Sequence, residues 1–338
     1  LFELYSEGYQ LVALEVSSHA LDQDRVAGIE FDTGVFTNLS RDHLDYHGSM
    51  SHYAAAKKKL ISLSSVHSVL NLGDETGRQW AMEMADRNWT GFAAEKNCQA
   101  LVWAENVEYL MTGTRFVLCS DSLSVKVQTQ LLGWFNLENV LAAVTSLLTL
   151  GYQLRDLLPH LPALTAVAGR MEIFGGSSNF PAVVVDYAHT PDALDAALKT
   201  LASICKGKLW CVFGCGGDRD RGKRPLMGSA AEFWADHIIL TDDNPRSEAP
   251  ELILADIMRG INEPEKVRII QPRKQAITDA LSLAQSDDMV LVAGKGHEGY
   301  QEIHGHRYQF SDRDIAASVV CSGIPPGDMP LSLVGGWQ

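Results

Sequence analysis

Leu209-Trp210-Cys211-Val212-Phe213-Gly214-Cys215-Gly216-Gly217-Asp218-Arg219-Asp220-Arg221-Gly222-Lys223-Arg224-Pro225 decides how the second half of this chain must fold. An apolar run of strand length passes into a glycine-rich turn and then into clustered cations. A strand covered on both faces reads as such a continuous run, and in an open α/β sheet the loop leaving its C-terminal end is where ligands are held. Glycines permit positive φ and close backbone approach, while arginine forks match carboxylate or phosphate oxygens, so an anion belongs at this turn.

The same grammar recurs on either side. Ala182 to Val185, His237 to Leu240, Val267 to Ile270 and Met289 to Val292 read as further strands with helical segments between them, which predicts a mostly parallel sheet. Asp186-Tyr187-Ala188-His189-Thr190-Pro191 follows the first of these. Thr190 and Pro191 suit an N-cap and a first helical position, which leaves Asp186 and His189 without a structural duty. Asp242-Asp243-Asn244-Pro245-Arg246 follows the third strand and Ala293-Gly294-Lys295-Gly296-His297-Glu298 the last, so these loops are expected to converge on one sheet edge. Gln301 to Phe310 reads as a closing hairpin.

In the first half, Leu11 to Val16 and Gly34 to Asn38 are expected to be buried parallel strands. Glu15-Val16-Ser17-Ser18-His19 would then set a carboxylate where an unpaired charge is costly, so a ligand should satisfy it. The loop from Thr37 to His47 crowds the oxygen and nitrogen ligands of Ser40, Arg41, Asp42, His43, Asp45 and His47 together; helix capping by Ser40 or Asp42 in a solvated loop is the alternative. Met50 to Ser62 reads as a helix carrying Lys57, which alone is an ordinary surface lysine. Ala100 to Leu131 alternates like strands, and Leu137 to Leu150 returns to an apolar helix. Prolines and glycines from Arg155 to Gly176 place a domain boundary near 168, giving domains at 1–168 and 169–320; the Pro- and Gly-rich tail at 321–338 is expected to be poorly ordered.

At 338 residues and 46% hydrophobic, the chain can fill the cores of about two domains. A formal net charge of -14 disfavours nucleic acid or an anionic membrane as main partner. No apolar run reaches the ~18 residues of a membrane span and no signal core opens the chain, so the cytoplasm is the expected compartment. The six cysteines lack the paired spacings of zinc ribbons and read as reduced thiols; Cys211 and Cys215 form one close pair with no second.

Taken in order, GCGGDRDRGKRP at 214–225, DDNPR at 242–246 and AGKGHE at 293–298 resemble the Mur ligases, in particular the branch that adds the third peptide residue. The likeness runs from about Leu11 to about Arg313. It implies an α/β chain with part of a P-loop-type central domain followed by a Rossmann-like C-terminal domain. It also implies a cytoplasmic, monomeric enzyme of peptidoglycan synthesis. Such an enzyme uses ATP and Mg2+ to activate the D-Glu carboxylate of UDP-MurNAc-L-Ala-D-Glu as an acyl phosphate, which the amine of meso-2,6-diaminopimelate attacks.

By the same resemblance, Glu15 and His43 match magnesium ligands and Lys57 matches a lysine carboxylated by carbon dioxide. Ser17, Gln23 and Arg25 match positions facing the UDP-MurNAc-dipeptide. Asn136 and Asn139 in FNLEN, Arg170 in GRME, and Asp186 with His189 match positions facing ATP. Arg219, Asp243, Asn244, Pro245, Arg246, Gly294 and Glu298 match the diaminopimelate pocket. Diaminopimelate exceeds lysine by one carboxylate, which an arginine fork is suited to read, so Arg246 is the expected specificity residue.

A G-x-x-G-K-T phosphate loop, which the family carries after a strand, is missing from these residues, and so is the domain that grips the uridine nucleotide. The chain alone is therefore expected to have negligible ligase activity. Two other readings stay open: a lysine-adding or folylpolyglutamate-type ligase, and a non-catalytic module that has kept only the amino-acid pocket.

Overall fold

The computed structural model describes residues 2–84, 88–97, 99–176 and 180–321. The expectation for the 322–338 tail, and that for Cys98, lie outside these residues. In chain order the first half runs α1 (Phe2–Ser6), α2 (Ser18–Asp22), β1 (Phe31–Phe36), α3 (Leu44–His47), α4 (Met50–Leu63), β2 (Ser64–Asn71), α5 (Glu75–Glu83), β3 (Trp89–Ala93), β4 (Ala100–Leu110), β5 (Gly113–Ser120), β6 (Leu123–Thr129), α6 (Trp134–Thr149) and α7 (Leu154–Leu157). The second half runs β7 (Glu172–Gly175), β8 (Ala182–Asp186), α8 (Pro191–Ala202), β9 (Leu209–Phe213), α9 (Lys223–Trp234), β10 (His237–Leu240), α10 (Pro250–Met258), β11 (Val267–Ile269), α11 (Arg273–Leu283), β12 (Met289–Ala293), β13 (Tyr300–Ile303), β14 (His306–Gln309) and α12 (Asp312–Cys321).

The first sheet has the order β1-β2-β3-β4-β5-β6, parallel through β4 and antiparallel beyond it. Leu137, Val140, Leu141 and Val144 of α6 cover one face, over Val69, Phe92, Val102 and Phe116. Ile61 of α4 and Trp80 of α5 cover the other, over Phe36, Leu70 and Ala93. The expected strand at Leu11–Val16 does not form. Residues 9–17 carry no regular structure, and Leu11, Leu14 and Glu15 are exposed. A strand is defined by its ladder, and among the described residues β1 is the edge of this sheet, with no partner for that segment. Glu15 is hydrated, so no desolvation penalty calls for a ligand there. The second expected run, Gly34–Asn38, is displaced: the strand begins at Phe31 and leaves the ladder after Phe36.

The second sheet has the order β11-β10-β9-β12-β8-β7, with β7 alone antiparallel. Its two faces follow residue parity. Val184, Cys211, Phe213 and Leu291 pack against Leu194 and Leu198 of α8, Met227 of α9 and Ile257 of α10. Val183, Val185, Trp210, Val212 and Val290 pack against Ile277 and Leu281 of α11 and Ala316 of α12. The chain moves outward from β9 to β10 and β11, then returns to lay β12 between β9 and β8, so the loops after β9 and β12 diverge at a topological switch point.

Arg273 is buried beneath that edge. Its Nε and Nη2 form a bidentate pair with Asp312, at 2.8 Å each, with both side chains wholly buried. Nη2 also donates to the carbonyl of Ala293 at 2.8 Å and Nη1 lies 3.5 Å from that of Asp242. One cation therefore joins the ends of β10, β12 and α12. The Asp242 carboxyl above it is pushed up to about 6 by burial, with the charges of Glu251 and Asp243 adding to the shift and Arg273 opposing it.

Two outcomes follow for stability. Arg273→Met leaves Asp312 as a lone buried charge and should cost about 3–5 kcal/mol in chemical denaturation, whereas Arg273→Met with Asp312→Leu should recover most of it. A carboxyl whose pKa is raised on folding favours the folded state only while protonated, and that contribution is lost as pH rises through about 6. Asp242→Asn should therefore stabilise by on the order of 1–2 kcal/mol at pH 8 and by almost nothing near pH 3.5. An equal gain at both pH values would rule out the titration of Asp242 as its source.

Candidate functional site

The loops after β9, β10 and β12 meet with almost no side chain between them. A Cβ on Gly217 would lie 1.9 Å from the carbonyl oxygen of Pro245, and one on Gly294 would lie 2.6 Å from Asp243 Oδ2. Asp243, Asn244 and Pro245 are buried. Arg246 takes φ 53°, a left-handed conformation that a side-chain-bearing residue holds only when its neighbours fix it. The fixing comes from the hairpin: Arg246 N donates to Glu302 O at 3.1 Å and His304 N donates to Arg246 O at 2.8 Å. Gln301 Nε2 adds a bond to Asp243 O at 2.8 Å. The Arg246 guanidinium donates from Nη1 to Gly217 O at 2.8 Å and sets Nε 3.8 Å from Glu302. No bond from a described residue takes Nη2, and the side chain is one-fifth exposed.

Glu298 accepts from Asn244 Nδ2 at 2.9 Å and from Lys295 Nζ at 3.1 Å. Asn244, which also accepts from Glu302 N at 2.9 Å, thereby links the Glu298 carboxylate to the hairpin that holds Arg246. Of the expected diaminopimelate residues, Asp243, Asn244, Pro245, Arg246, Gly294 and Glu298 come together here. Arg219 stays exposed on the same β9 loop, donating only to the carbonyl of Asp218.

A second cluster crosses the seam between the two halves. His189 spans the Tyr187 carbonyl, 2.9 Å from Nδ1, and Asp42 Oδ2, 3.2 Å from Nε2. Lys223 Nζ, almost wholly buried, lies 3.8 Å from Asp42 Oδ1, and Arg41 pairs with Asp220 at 2.9 Å. Burial alone would raise the Asp42 carboxyl, but the His189 bond and the charges of Lys223, His189 and His43 outweigh it and hold the group well below the ordinary carboxylate range. His43 is left-handed at φ 54°, and burial lowers its imidazole against the pull of Asp42, which favours the neutral, ligating form. Lys57 Nζ lies 3.4 Å from Asn38 O, and burial draws its ammonium down against Asp74, Asp42 and Glu15.

The other expected residues spread along this seam with local partners. Ser17 caps α2 by accepting from Ala20 N at 3.2 Å, Gln23 donates to Tyr46 Oη at 3.0 Å, and Arg25 is exposed. Asn136 donates to Leu132 O on α6 while Asn139 points to an exposed face of that helix. Arg170 stacks over the Tyr187 ring at 4.4 Å. Asp186 accepts from Met171 N and Ala188 N at 2.7 and 2.8 Å, and its burial raises the carboxyl all the same.

Asp42, Lys223 and Arg273 were not singled out from sequence. For Arg273 there was a usable signal: a cation in the first turn of a helix opposes the macrodipole, so another charge must hold it there. Asp42 and Lys223 offer none, because 181 residues separate two charges that only the fold brings together.

Among the described residues no three His, Cys, Asp or Glu side chains converge to hold a metal. Magnesium commonly takes one or two protein ligands and completes its shell with phosphate oxygens and water, and the carboxylates of Asp74, Asp42 and Glu15 whose charges act on Lys57 are oxygen groups of that kind. The buried Cys211 and Cys215 do not suit zinc: burial raises both thiols, Cys215 to about 12, away from the thiolate that a metal needs.

Family models match both halves: the Mur ligase middle domain over residues 1–147 and the Mur ligase glutamate ligase domain over 169–296. The chain is 47% identical to the UDP-N-acetylmuramoyl-L-alanyl-D-glutamate--2,6-diaminopimelate ligase of Pseudomonas syringae pv. tomato, over 97% of this chain and 67% of that protein. It is 49% identical to the enzyme of that name from Ectopseudomonas mendocina, over 92% of this chain and 64% of that protein. The chain thus spans about two thirds of the length of these curated relatives. A solved structure carrying the same enzyme name superposes with a TM-score of 0.62 at 40% identity, over 94% of this chain and 66% of its own. A folylpolyglutamate synthase from Mycobacterium tuberculosis, solved with ADP and AMPPCP, shares the fold at TM-score 0.63 and 20% identity, covering 88% of this chain and 65% of its own. With both halves matched and nearly half of the residues shared along almost its whole length, the chain belongs to the Mur ligase family.

Proposed function

We propose that this chain supplies the catalytic seam and the amino-acid pocket of an ATP-dependent ligase that joins meso-2,6-diaminopimelate to the D-Glu carboxylate of UDP-MurNAc-L-Ala-D-Glu. The observation that carries this reading is Arg246, whose guanidinium is held on Gly217 O with no bond from a described residue to Nη2, on the hairpin frame that Asn244 ties to the Glu298 carboxylate. A diamino diacid offers both complements: an acid for the arginine fork and an ammonium for the glutamate. Lysine lacks the second acid and leaves Arg246 with Glu302 as its only carboxylate partner among the described residues. The compartment in this reading is the cytoplasm, the enzyme acts as a monomer, and residues 1–168 and 169–320 are its central and amino-acid-binding domains.

The seam between the halves holds the acid and the amine together, which removes the entropy of their encounter. Asp186 and His189 lie on the second half and Arg170 covers Tyr187, in the region this reading gives to ATP. Asn136 and Asn139 approach from α6, while Ser17, Gln23 and Arg25 border the UDP-MurNAc-dipeptide. Mg2+, held by Glu15, His43 and a carboxylated Lys57, would neutralise charge building on the transferring phosphoryl group. The environment of Lys57 suits that modification, since carbon dioxide adds only to a neutral amine and burial enlarges the neutral fraction. The Asp42 carboxylate keeps Lys223 and His189 together at the seam, so both side chains are fixed before an acyl phosphate forms.

Removing the fork should cost about ten- to a hundredfold in affinity for diaminopimelate, as expected for one charge-assisted pair. In calorimetric titrations, Arg246→Ala should weaken diaminopimelate by that factor and leave lysine nearly unchanged; equal losses for both would remove Arg246 from the specificity role. For Lys57, 13C-bicarbonate should give a carbamate carbon resonance that strengthens with pH and is missing from Lys57→Gln. Placed in a longer protein that also carries the phosphate loop, that substitution should lower tripeptide formation by on the order of a hundredfold in an assay with all three substrates. A Lys57→Gln protein of undiminished activity would refute the modified lysine.

A further inference from the structure

Lys295 is the most deeply buried ammonium among the described residues: its side chain has no exposure, it lies two residues beyond the end of β12, and the proposed mechanism gives it no part. A lysine in such a position must be satisfied by nearby polar groups, since an isolated ammonium in the interior is strongly unfavourable. Nζ donates to Asn244 Oδ1 at 3.0 Å and to Glu298 Oε2 at 3.1 Å, and it stands 5.6 Å from the centre of the Tyr300 ring. Asn244 closes the triangle by donating from Nδ2 to the same Glu298 oxygen at 2.9 Å. The second lone pair of Asn244 Oδ1 is taken by Glu302 N at 2.9 Å, so that amide oxygen is full and cannot also serve a ligand.

Every contact of this triangle on Glu298 falls on Oε2. No hydrogen bond from a described residue reaches Oε1, although the glutamate side chain is one-fifth exposed. The arrangement fixes a carboxylate by one oxygen and leaves the other free. Asn244 connects it through Glu302 to the hairpin that also sets Arg246, so the two charges of the pocket share one frame.

We propose that Lys295 is a positioning residue of the amino-acid pocket: its buried ammonium ties Asn244 to Glu298 and so presents the remaining Glu298 oxygen to an ammonium group of the incoming diamino acid. The proposal rests on the reading of this edge as a diaminopimelate pocket and adds to it the group that orients the acid. Asn244, on this account, acts through Glu298 and the hairpin more than by its own carbonyl. A purely structural lysine could be replaced by an apolar side chain of similar length with no change in ligand affinity, and the partner left behind, Glu298, is one-fifth exposed. Glu298 can turn to water when its partner is lost, so Lys295→Met should fold.

The test is calorimetric titration of the 338-residue chain with meso-diaminopimelate, with thermal unfolding run alongside. Lys295→Met should weaken binding about tenfold or more, with the unfolding midpoint close to that of the parent. Lys295→Gln, which keeps a donor, should recover part of the loss, and Lys295→Met combined with Glu298→Gln should bind no more weakly than Glu298→Gln alone. Hydrogen exchange at the Glu302 amide gives an independent reading of the frame, and in Lys295→Met it should speed up at least several-fold. Parent-like affinity in Lys295→Met, or additive losses in the double variant, would overturn the positioning role while leaving the pocket itself intact. A parent chain that binds neither diaminopimelate nor lysine would defeat the pocket reading, and the role of Lys295 with it; faster exchange at Glu302 would then mark only a structural link.

Discussion

The loops after β9 and β10 touch backbone to backbone, the β12 loop closes on the Asp243 side chain, and the rest of the site depends on these contacts. A methyl group on Gly214 would sit 2.0 Å from the carbonyl oxygen of Thr241, as close as that on Gly217 would sit to Pro245. No rotamer relieves a clash with a carbonyl, so only glycine permits this approach, and the bond from Gly217 N to Asn244 O at 2.9 Å holds it. Drawing the loops together brings Asn244, Lys295 and Glu298 within hydrogen-bond reach and turns the Arg246 guanidinium onto Gly217. From below, Arg273 fastens the same loops through the carbonyls of Asp242 and Ala293. The pocket is thus assembled by close approach above and one buried cation beneath.

Electrostatics then divides the work. The chain as a whole carries a formal charge of -14, yet its cations concentrate where the β9 loop meets the first half. Arg224 is taken up by Glu248 and Asp256 and braces the loop through Gly216 O, so it is a scaffold and not a ligand-facing group. Lys223 turns the other way, toward Asp42. Two adjacent residues of α9 with the same charge therefore serve different purposes, and only their partners tell them apart.

The second half was legible because its strands announce themselves twice, by unbroken apolar runs and by the loops that follow them. Leu209–Phe213 and His237–Leu240 came out with the expected bounds, and the hairpin differs by a residue at each end. In the first half, Leu11–Val16 has the same apolar composition but no neighbouring strand in the described chain, and composition cannot report the presence of a ladder partner. The site was legible in its parts: the loops were identified, while the bonds among them were not. Lys295 was visible only as one more cation in a glycine turn, since nothing in sequence says that its ammonium ends between Asn244 and Glu298. Asp42 was hidden among the polar residues of its loop, and its importance comes from His189 and Lys223, contributed by the second half of the chain.

The bridge made by Asp42 has a mechanical consequence. Any rotation that parts the two halves must take His189 and Lys223 away from Asp42 in the same movement, leaving Lys223, only 6% exposed, to find water for its charge. The neighbouring Arg41–Asp220 pair is already wetted on the arginine side, which is 43% exposed, and separates at little cost. The seam therefore has a stiff side and a soft side. Swinging should begin at Arg41 and pivot on Asp42, so that the mouth widens next to the β9 loop before the floor beside His189 moves.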